Sequence, residues 1–382
     1  MLVRVTIFLL VFTLMITGLT GCWDLREPNQ LLFIIGSGID KSNDGKIELS
    51  LQAPIPIQGG SQQGGGGGDS KPFVVYSSKG KNIMDAESQI MDRSSRKLFG
   101  GHRIVVLIDE ELAKLGMTQY LDELIRFPDN NTRAGLLIVK GMTAKQFLEG
   151  QYKFEKYSSL AAIQTSDFIG YKATIFEFQR EMNNPVKYTI LPVIEPVSKD
   201  EFKIHTIAIL NKEHKLYKYL ENKEATFALT AADKLPRGVV ITEFISQGQG
   251  TISVDLRKVH SHVKVNLNSK LPSASISITG KGSFSENNTS LDLRSPAVIE
   301  SVTKEMSRKI ENDVKQVINI VQKQYKSDIF SIGNTIAREH PSKWKKIQKN
   351  WDDTFSKMPV SVDVHLSIRG GGLIGSGPKH KE

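Results

Sequence analysis

The chain holds a single thiol, Cys22, and its position suggests a use for it. Arg4 precedes an apolar run from Val5 to Ile16, and Leu19-Thr20-Gly21 lead directly into Cys22. A positive start, a short apolar stretch and a small-residue site form a secretory signal. A cysteine at the cut makes it a bacterial lipobox, in which the thiolate is the soft nucleophile for diacylglyceryl transfer. The run is too short for a spanning helix, which needs about 20 apolar residues. Thr13, Thr17 and Gly18 also break it. Residues 1–21 are therefore read as a lipoprotein signal peptide and Cys22 as the lipidation site, with residues 23 onward outside the cytoplasmic membrane.

Other reactive residue types do not assemble into a reaction centre. His260 and His262 are a close histidine pair, but they lie on the even face of a strand whose odd face carries Val259, Val263, Val265 and Leu267. That alternation makes a solvent-facing strand surface rather than a metal site. Asp109-Glu110-Glu111 and Asp352-Asp353 are sequence neighbours, placed as helix-start or surface charge. Gly36 and Gly38 follow a strand, but the third glycine of a dinucleotide fingerprint would fall at Lys41. Gly80-Lys81 lacks the rest of a phosphate loop. Gly375-Ser376-Gly377 lies in a glycine-rich tail, not on a strand-to-helix elbow. No catalytic, cofactor-binding or metal residue is assigned, and a binding or assembly role is expected.

Composition agrees with an exported, folded chain. It has 382 residues, 39% hydrophobic and 24% charged. That length suits two or three domains. One cysteine allows no intrachain disulfide, so packing alone must hold the core. The net charge is +9 from 50 basic and 41 acidic residues. Without Arg4 the exported part carries 49 − 41 = +8. Such a chain gains from an anionic membrane surface. Its basic residues are dispersed, which argues against nucleic acid.

The elements that position these residues follow from periodicity. Leu31–Ile35 reads as a buried strand, followed by a turn, then an alternating strand from Ile47 to Leu51. Residues 58–70, with five glycines at 64–68, read as a flexible loop. Phe73–Tyr76, Arg103–Ile108 and Ala134–Val139 read as strands. Ile83, Ala86, Ile90 and Leu98 have helical spacing, an acidic-start helix covers Asp109–Leu115, and Thr143 and Gln146 form a capping box. Pro185, Pro192 and Pro196 place a boundary near 198–202.

The second half opens with a strand at Lys203–Leu210. An antiparallel meander at 239–245, 251–256, 258–268 and 273–279 follows. The longest element then starts at Ser295-Pro296, with an apolar stripe from Val298 to Tyr325. That makes a helix of about 30 residues, roughly 45 Å long. A helix at Ile329–Ala337, an apolar face on Trp344, Ile347, Trp351 and Phe355, and a last strand at Val360–Leu366 complete it. The expectation is a multi-domain α+β fold with mixed and antiparallel sheets flanked by helices. Its parts are a 23–200 α/β region, splitting near 150–185, a 201–370 α+β domain with the long helix, and a 371–382 tail.

Taken together, these segments resemble one family. Gly21-Cys22-Trp23-Asp24-Leu25-Arg26-Glu27 runs into Phe33-Ile34-Ile35-Gly36-Ser37-Gly38-Ile39-Asp40. Arg93–Leu98 and Gly101-His102-Arg103-Ile104-Val105-Val106 follow. Asp328, Gly333, Trp344 to Trp351, Phe355 and the Val360–Leu366 strand complete the pattern. This is similar to the Ger(x)C lipoproteins, C subunits of nutrient germinant receptors in endospore-forming bacteria. The glycine run departs from the family only in a loop.

The resemblance implies a non-enzymatic, lipid-anchored subunit on the extracytoplasmic face of the spore inner membrane. Its partners would be a polytopic A subunit and a permease-like B subunit, in a receptor for amino acids, sugars or nucleosides. It implies no cofactor, and only Cys22 carries over as a functional position. A lipid-anchored solute-binding protein is the alternative reading.

Overall fold

The computed structural model describes residues 1, 4–8, 27–56, 71–235, 238–269 and 271–369. Cys22, the glycine run and the tail from 370 lie outside them. The central strands are the apolar runs. In chain order the strands of the first half are β1 (Leu31–Phe33), β2 (Gly36–Lys41), β3 (Ile47–Pro54), β4 (Phe73–Gly80), β5 (Lys97–Phe99), β6 (Val105–Asp109) and β7 (Gly135–Val139). β8 (Thr189–Ser198), β9 (Glu201–Leu210) and β10 (Leu216–Glu221) follow. Every residue of β6 and β7 is buried, as expected for strands covered on both faces.

Eight strands form one sheet in the order β10-β9-β8-β7-β6-β2-β3-β4. Its centre, β2-β6-β7-β8, is parallel. Hairpin partners close both flanks antiparallel. β1 and β5 pair separately, in parallel.

The helices of this half are α1 (Ile83–Met91), α2 (Glu110–Leu115), α3 (Thr118–Arg126), α4 (Ala144–Glu149), α5 (Ser158–Phe168) and α6 (Ile175–Met182). The capping box of Thr143 and Gln146 is present at the start of α4. After β10, α7 (Asn222–Ala231) leads to a four-stranded sheet of β11 (Val239–Ile245), β12 (Gly250–Asn266), β13 (Ser273–Asn287) and β14 (Val360–Arg369), in that order. β11, β12 and β13 form the expected meander, whereas β14 pairs parallel to β13. A parallel partner needs a crossover. α8 (Pro296–Ile320) begins it, and α9 (Ile332–Glu339), α10 (Pro341–Ile347) and α11 (Trp351–Lys357) complete it. The α+β architecture with a long C-terminal helix is as read from the sequence.

That long helix runs as 25 α-helical residues and then one π turn, Val321–Tyr325. Val302, Met306, Ile310, Val314 and Val317 are buried along its stripe. The turn ends at Lys326 in the left-handed region, φ 50°.

Several local readings are corrected. The strand read at Leu31–Ile35 ends at Phe33, and Gly36 and Gly38 belong to a second strand, β2, where neighbours press too closely for side chains. A β-carbon at Gly36 would lie 1.8 Å from Ser159 Oγ, and one at Gly38 2.9 Å from the Ala144 β-carbon. Leu98 belongs to β5, since α1 stops at Met91. The two strands expected at 251–256 and 258–268 are one, β12, with a bulge at Lys258, φ 62°. The helix expected from Ile329 starts three residues later, because Ser331 at its N-cap is left-handed, φ 59°.

Residues 199 and 200 form the turn between β8 and β9, so the large sheet draws strands from both sides of the 198–202 position. β8 pairs with β7 only at Val193 and Ile194, which leaves Pro192 and Pro196 outside that ladder. One buried apolar cluster then runs from Leu32 to Ile368 across both sheets.

Candidate partner-docking surface

The residues that carry the resemblance are braces inside the fold. Asp40, at the end of β2, accepts the backbone N–H groups of Ala144 and Lys145 at 2.6 and 2.9 Å, holding the start of α4. Burial lifts its carboxyl to about 6. Arg103 is 2% exposed. Its Nε donates to Ser37 Oγ at 2.8 Å and its Nη1 to Asn130 Oδ1 at 2.7 Å. Its Nη2 lies 3.9 Å from Glu87. Burial, with the nearby Glu123 carboxylate, lifts Glu87 to about 7 against the pull of Arg103.

Asp328 does similar work in the C-terminal half. One oxygen accepts the Ile332 N–H at 3.1 Å. The other accepts the Gly333 N–H at 2.6 Å and the Trp351 indole N–H at 3.1 Å. It thereby ties α9 to α11. Burial raises it to about 6. Trp344 packs edge-to-face on Trp351, ring centres 5.3 Å apart. A β-carbon at Gly333 would sit 2.8 Å from the Trp351 ring, so only glycine admits the indole there.

These three carboxyls set a pH dependence. Each has a folded pKa above its unfolded value. Its stabilising contribution is complete below about pH 4 and is lost as pH rises through 6 to 7. A tenfold change in proton affinity on folding is worth about 1.4 kcal/mol. Thermal melts should therefore show a higher melting temperature at pH 5 than at pH 7.5. Equal melting temperatures at the two values would refute this.

The other sequence candidates stay apart. His260 and His262 are exposed on β12, and the His260 Nδ1 is 3.7 Å from Asp233. Asp109 receives the Lys41 N–H at 3.4 Å. Asp352 pairs with Lys212 at 2.7 Å and Asp353 with Lys326 at 3.4 Å. Gly80 is a point of close approach, where a β-carbon would lie 2.5 Å from the Ala86 nitrogen. Among the described residues no group of three His, Cys, Asp or Glu could hold a metal ion.

The surface has one feature that the sequence did not single out. Phe168, the last residue of α5, is 90% exposed, and Phe154 is 96% exposed. Isolated apolar residues on a surface are ordinary, but contiguous patches mark contact sites. Phe154 and Phe168 share a cleft of about 370 Å³ floored by Tyr152, Ala161 and Phe202. Phe168 also borders a second cleft of about 200 Å³, lined by Ile204, Leu229 and Val240, where α7 and β11 meet the large sheet. Tyr152, Phe202 and Phe147 pack together there with ring centres 4.8 to 5.1 Å apart, Phe147 stacked on Tyr152 and Phe202 edge-on to both. Lys153 faces Asp200 and Glu201 on the rim.

Internal braces and an apolar outer face on an α+β frame define a protein whose distinctive residues serve its shape. Similarity to known proteins then gives the family. Residues 24–196 match the spore germination protein N-terminal domain, and residues 205–372 match the spore germination B3/GerAC-like C-terminal domain. The chain belongs to this spore germination family.

Spore germination protein KC of Bacillus subtilis (strain 168) is 26% identical, over 99% of both chains. Spore germination protein B3 of the same organism is 27% identical, over 94% of this chain and 96% of the relative. The crystal structure of the GerBC protein superposes with a TM-score of 0.55 at 21% identity. That match covers 90% of this chain and 99% of the other, and it shows the shared fold. Among the described residues no helix is long and apolar enough to cross a membrane.

Proposed function

We propose that the chain is the lipid-anchored C subunit of a nutrient germinant receptor in the spore inner membrane, and that it acts by assembly rather than catalysis. The observation that carries this reading is the match to both family domains across nearly the whole chain. The partners would be a polytopic A subunit and a permease-like B subunit. Cys22 would hold the lipid, keeping the folded part on the extracytoplasmic face. Confinement to the plane of the partners raises their effective concentration. Stable anchoring takes more than one acyl chain. Cys22→Ala is expected to release the protein from membranes or leave it unprocessed. Normal retention of a mature-size band would contradict the anchor.

The Phe154–Phe168 face is the proposed contact with a membrane subunit. Phe154→Ser with Phe168→Ser removes two exposed rings and no core contact. The melting temperature should stay within about 2 °C, since surface changes seldom exceed about 0.5 kcal/mol. Germination through the receptor that holds this chain should fail, while germination by non-nutrient triggers stays normal. Normal nutrient germination of this variant would rule the face out as that contact. For the receptor reading itself, deleting the chain should abolish germination through one receptor. A spore that still answered that receptor's nutrient at normal rate would defeat it. The division into 23–200 and 201–370 is proposed as a division of sequence, with β9 and β10 completing the first sheet.

A further inference from the structure

Residues 338–350 carry five cations, Arg338, Lys343, Lys345, Lys346 and Lys349, against one carboxylate, Glu339. The fold directs this charge outward. Trp344 of α10 is buried against Trp351, and Ile347 is half-buried. Helical spacing then leaves Lys343, Lys345 and Lys346 exposed, with Lys349 exposed in the following turn. Glu339 is taken up by Arg338 at 3.2 Å, and Lys343 donates to the Leu267 carbonyl at 3.1 Å. Among the described residues, Lys345, Lys346 and Lys349 have no carboxylate in ion-pair range. The contact with Leu267 brings the tip of the β12–β13 hairpin alongside, and there Leu271 is 40% exposed. The result is an unneutralised cationic face beside an exposed apolar tip.

This face sits at a particular end of the molecule. β2, β6, β7 and β8 run parallel and begin at the same end of the large sheet. The chain enters from Glu27 through β1 into β2 at that end. The α9–α11 segment attaches there too. The Val186 N–H, just before β8, donates to Asn334 Oδ1 at 3.1 Å, and Lys212, just after β9, pairs with Asp352. The amino-terminal lead-in and the lysine-bearing helices therefore share one end.

We propose that the lysine face of α10 and the turn after it is a landing surface for an anionic phospholipid bilayer, with Leu271 at its edge entering the headgroup layer. Juxtamembrane Lys and Arg clusters gain from anionic headgroups, and the gain falls with salt. A single tether leaves a protein free to swivel. A second, electrostatic contact would fix its orientation on the membrane.

The test uses the lipid-free chain from Trp23 to Glu382 and synthetic vesicles, so its failure would leave the receptor reading intact. Flotation should show binding to vesicles with about 30% phosphatidylglycerol, none to pure phosphatidylcholine, and release at about 0.5 M salt. Lys345→Glu, Lys346→Glu and Lys349→Glu together should weaken binding at least about tenfold. The matching glutamine triple variant should weaken it less, and both should melt like the parent. Reversing Lys46, Lys79 and Lys81, which lie at the opposite end of the large sheet, should weaken binding far less. Equal binding to neutral vesicles, or undiminished binding by the Lys345, Lys346 and Lys349 variants, would overturn the proposal. Indifference to anionic vesicles would do the same, leaving an acidic protein surface as the occupant.

Discussion

Asp328→Ala is expected to destabilise the protein by about 3–5 kcal/mol, because three buried donors lose their acceptor at once. The Ile332 and Gly333 N–H groups and the Trp351 indole N–H all end on this carboxylate. Each orphaned buried donor costs about 1–3 kcal/mol. Removing a carboxylate whose pKa is already raised to about 6 returns part of that near neutral pH. Asp328→Asn keeps one acceptor but turns an amide against N–H donors, so it should fall between parent and alanine variant. Urea unfolding measures this directly: the midpoint should drop with little change in slope. A loss under about 1 kcal/mol for Asp328→Ala would mean that the α9–α11 tie does not hold the C-terminal helices.

Ile310→Asp should be comparably damaging. Ile310 is 2% exposed in the middle of the α8 stripe, with Met306 and Val314 buried on either side. α8 packs against β14 and β11 of the four-stranded sheet and against α7, so an aspartate there would be an uncompensated charge in that packed layer. Burying such a charge costs several kcal/mol, or forces the site open to water. Lys309→Asp, one position around the helix, should cost under about 1 kcal/mol. Soluble yield and thermal melts of the pair separate the two. Similar melting temperatures would mean that the stripe does not face a core.

What the sequence disclosed was whatever local periodicity encodes. The α8 stripe, the apolar runs of β6 and β7, the Thr143–Gln146 box and the exposed histidine face of β12 could be read because each is set within a few residues. Asp328 could not be given its role, since its indole partner lies 23 residues away and only tertiary packing brings them together. Nothing local shows why positions 36 and 38 are glycines, since the Ser159 and Ala144 side chains they make room for are distant in sequence. α5 buries Ser158, Ser159, Ala161, Ala162 and Ser166, small residues that leave no apolar stripe to detect. Phe168 at its end therefore gave no sign that it would stand exposed. α7 likewise shows no clear period, whereas α6 carries a readable signal, a Thr174–Glu177 capping box ahead of Ile175, Phe178 and Met182.

The two proposed surfaces would divide the labour, the lysine face toward lipid and the phenylalanine face toward protein. Both lie on a frame whose braces are internal, so surface substitutions there should leave the fold intact. The most direct measurement of the receptor assignment is affinity purification of this chain from detergent-solubilised spore membranes, followed by mass spectrometry. A polytopic A subunit and a permease-like B subunit should co-purify in fixed ratio, and Phe154→Ser with Phe168→Ser should lose them while the chain stays in the membrane. Recovery of the chain alone from wild-type spores would contradict the assignment.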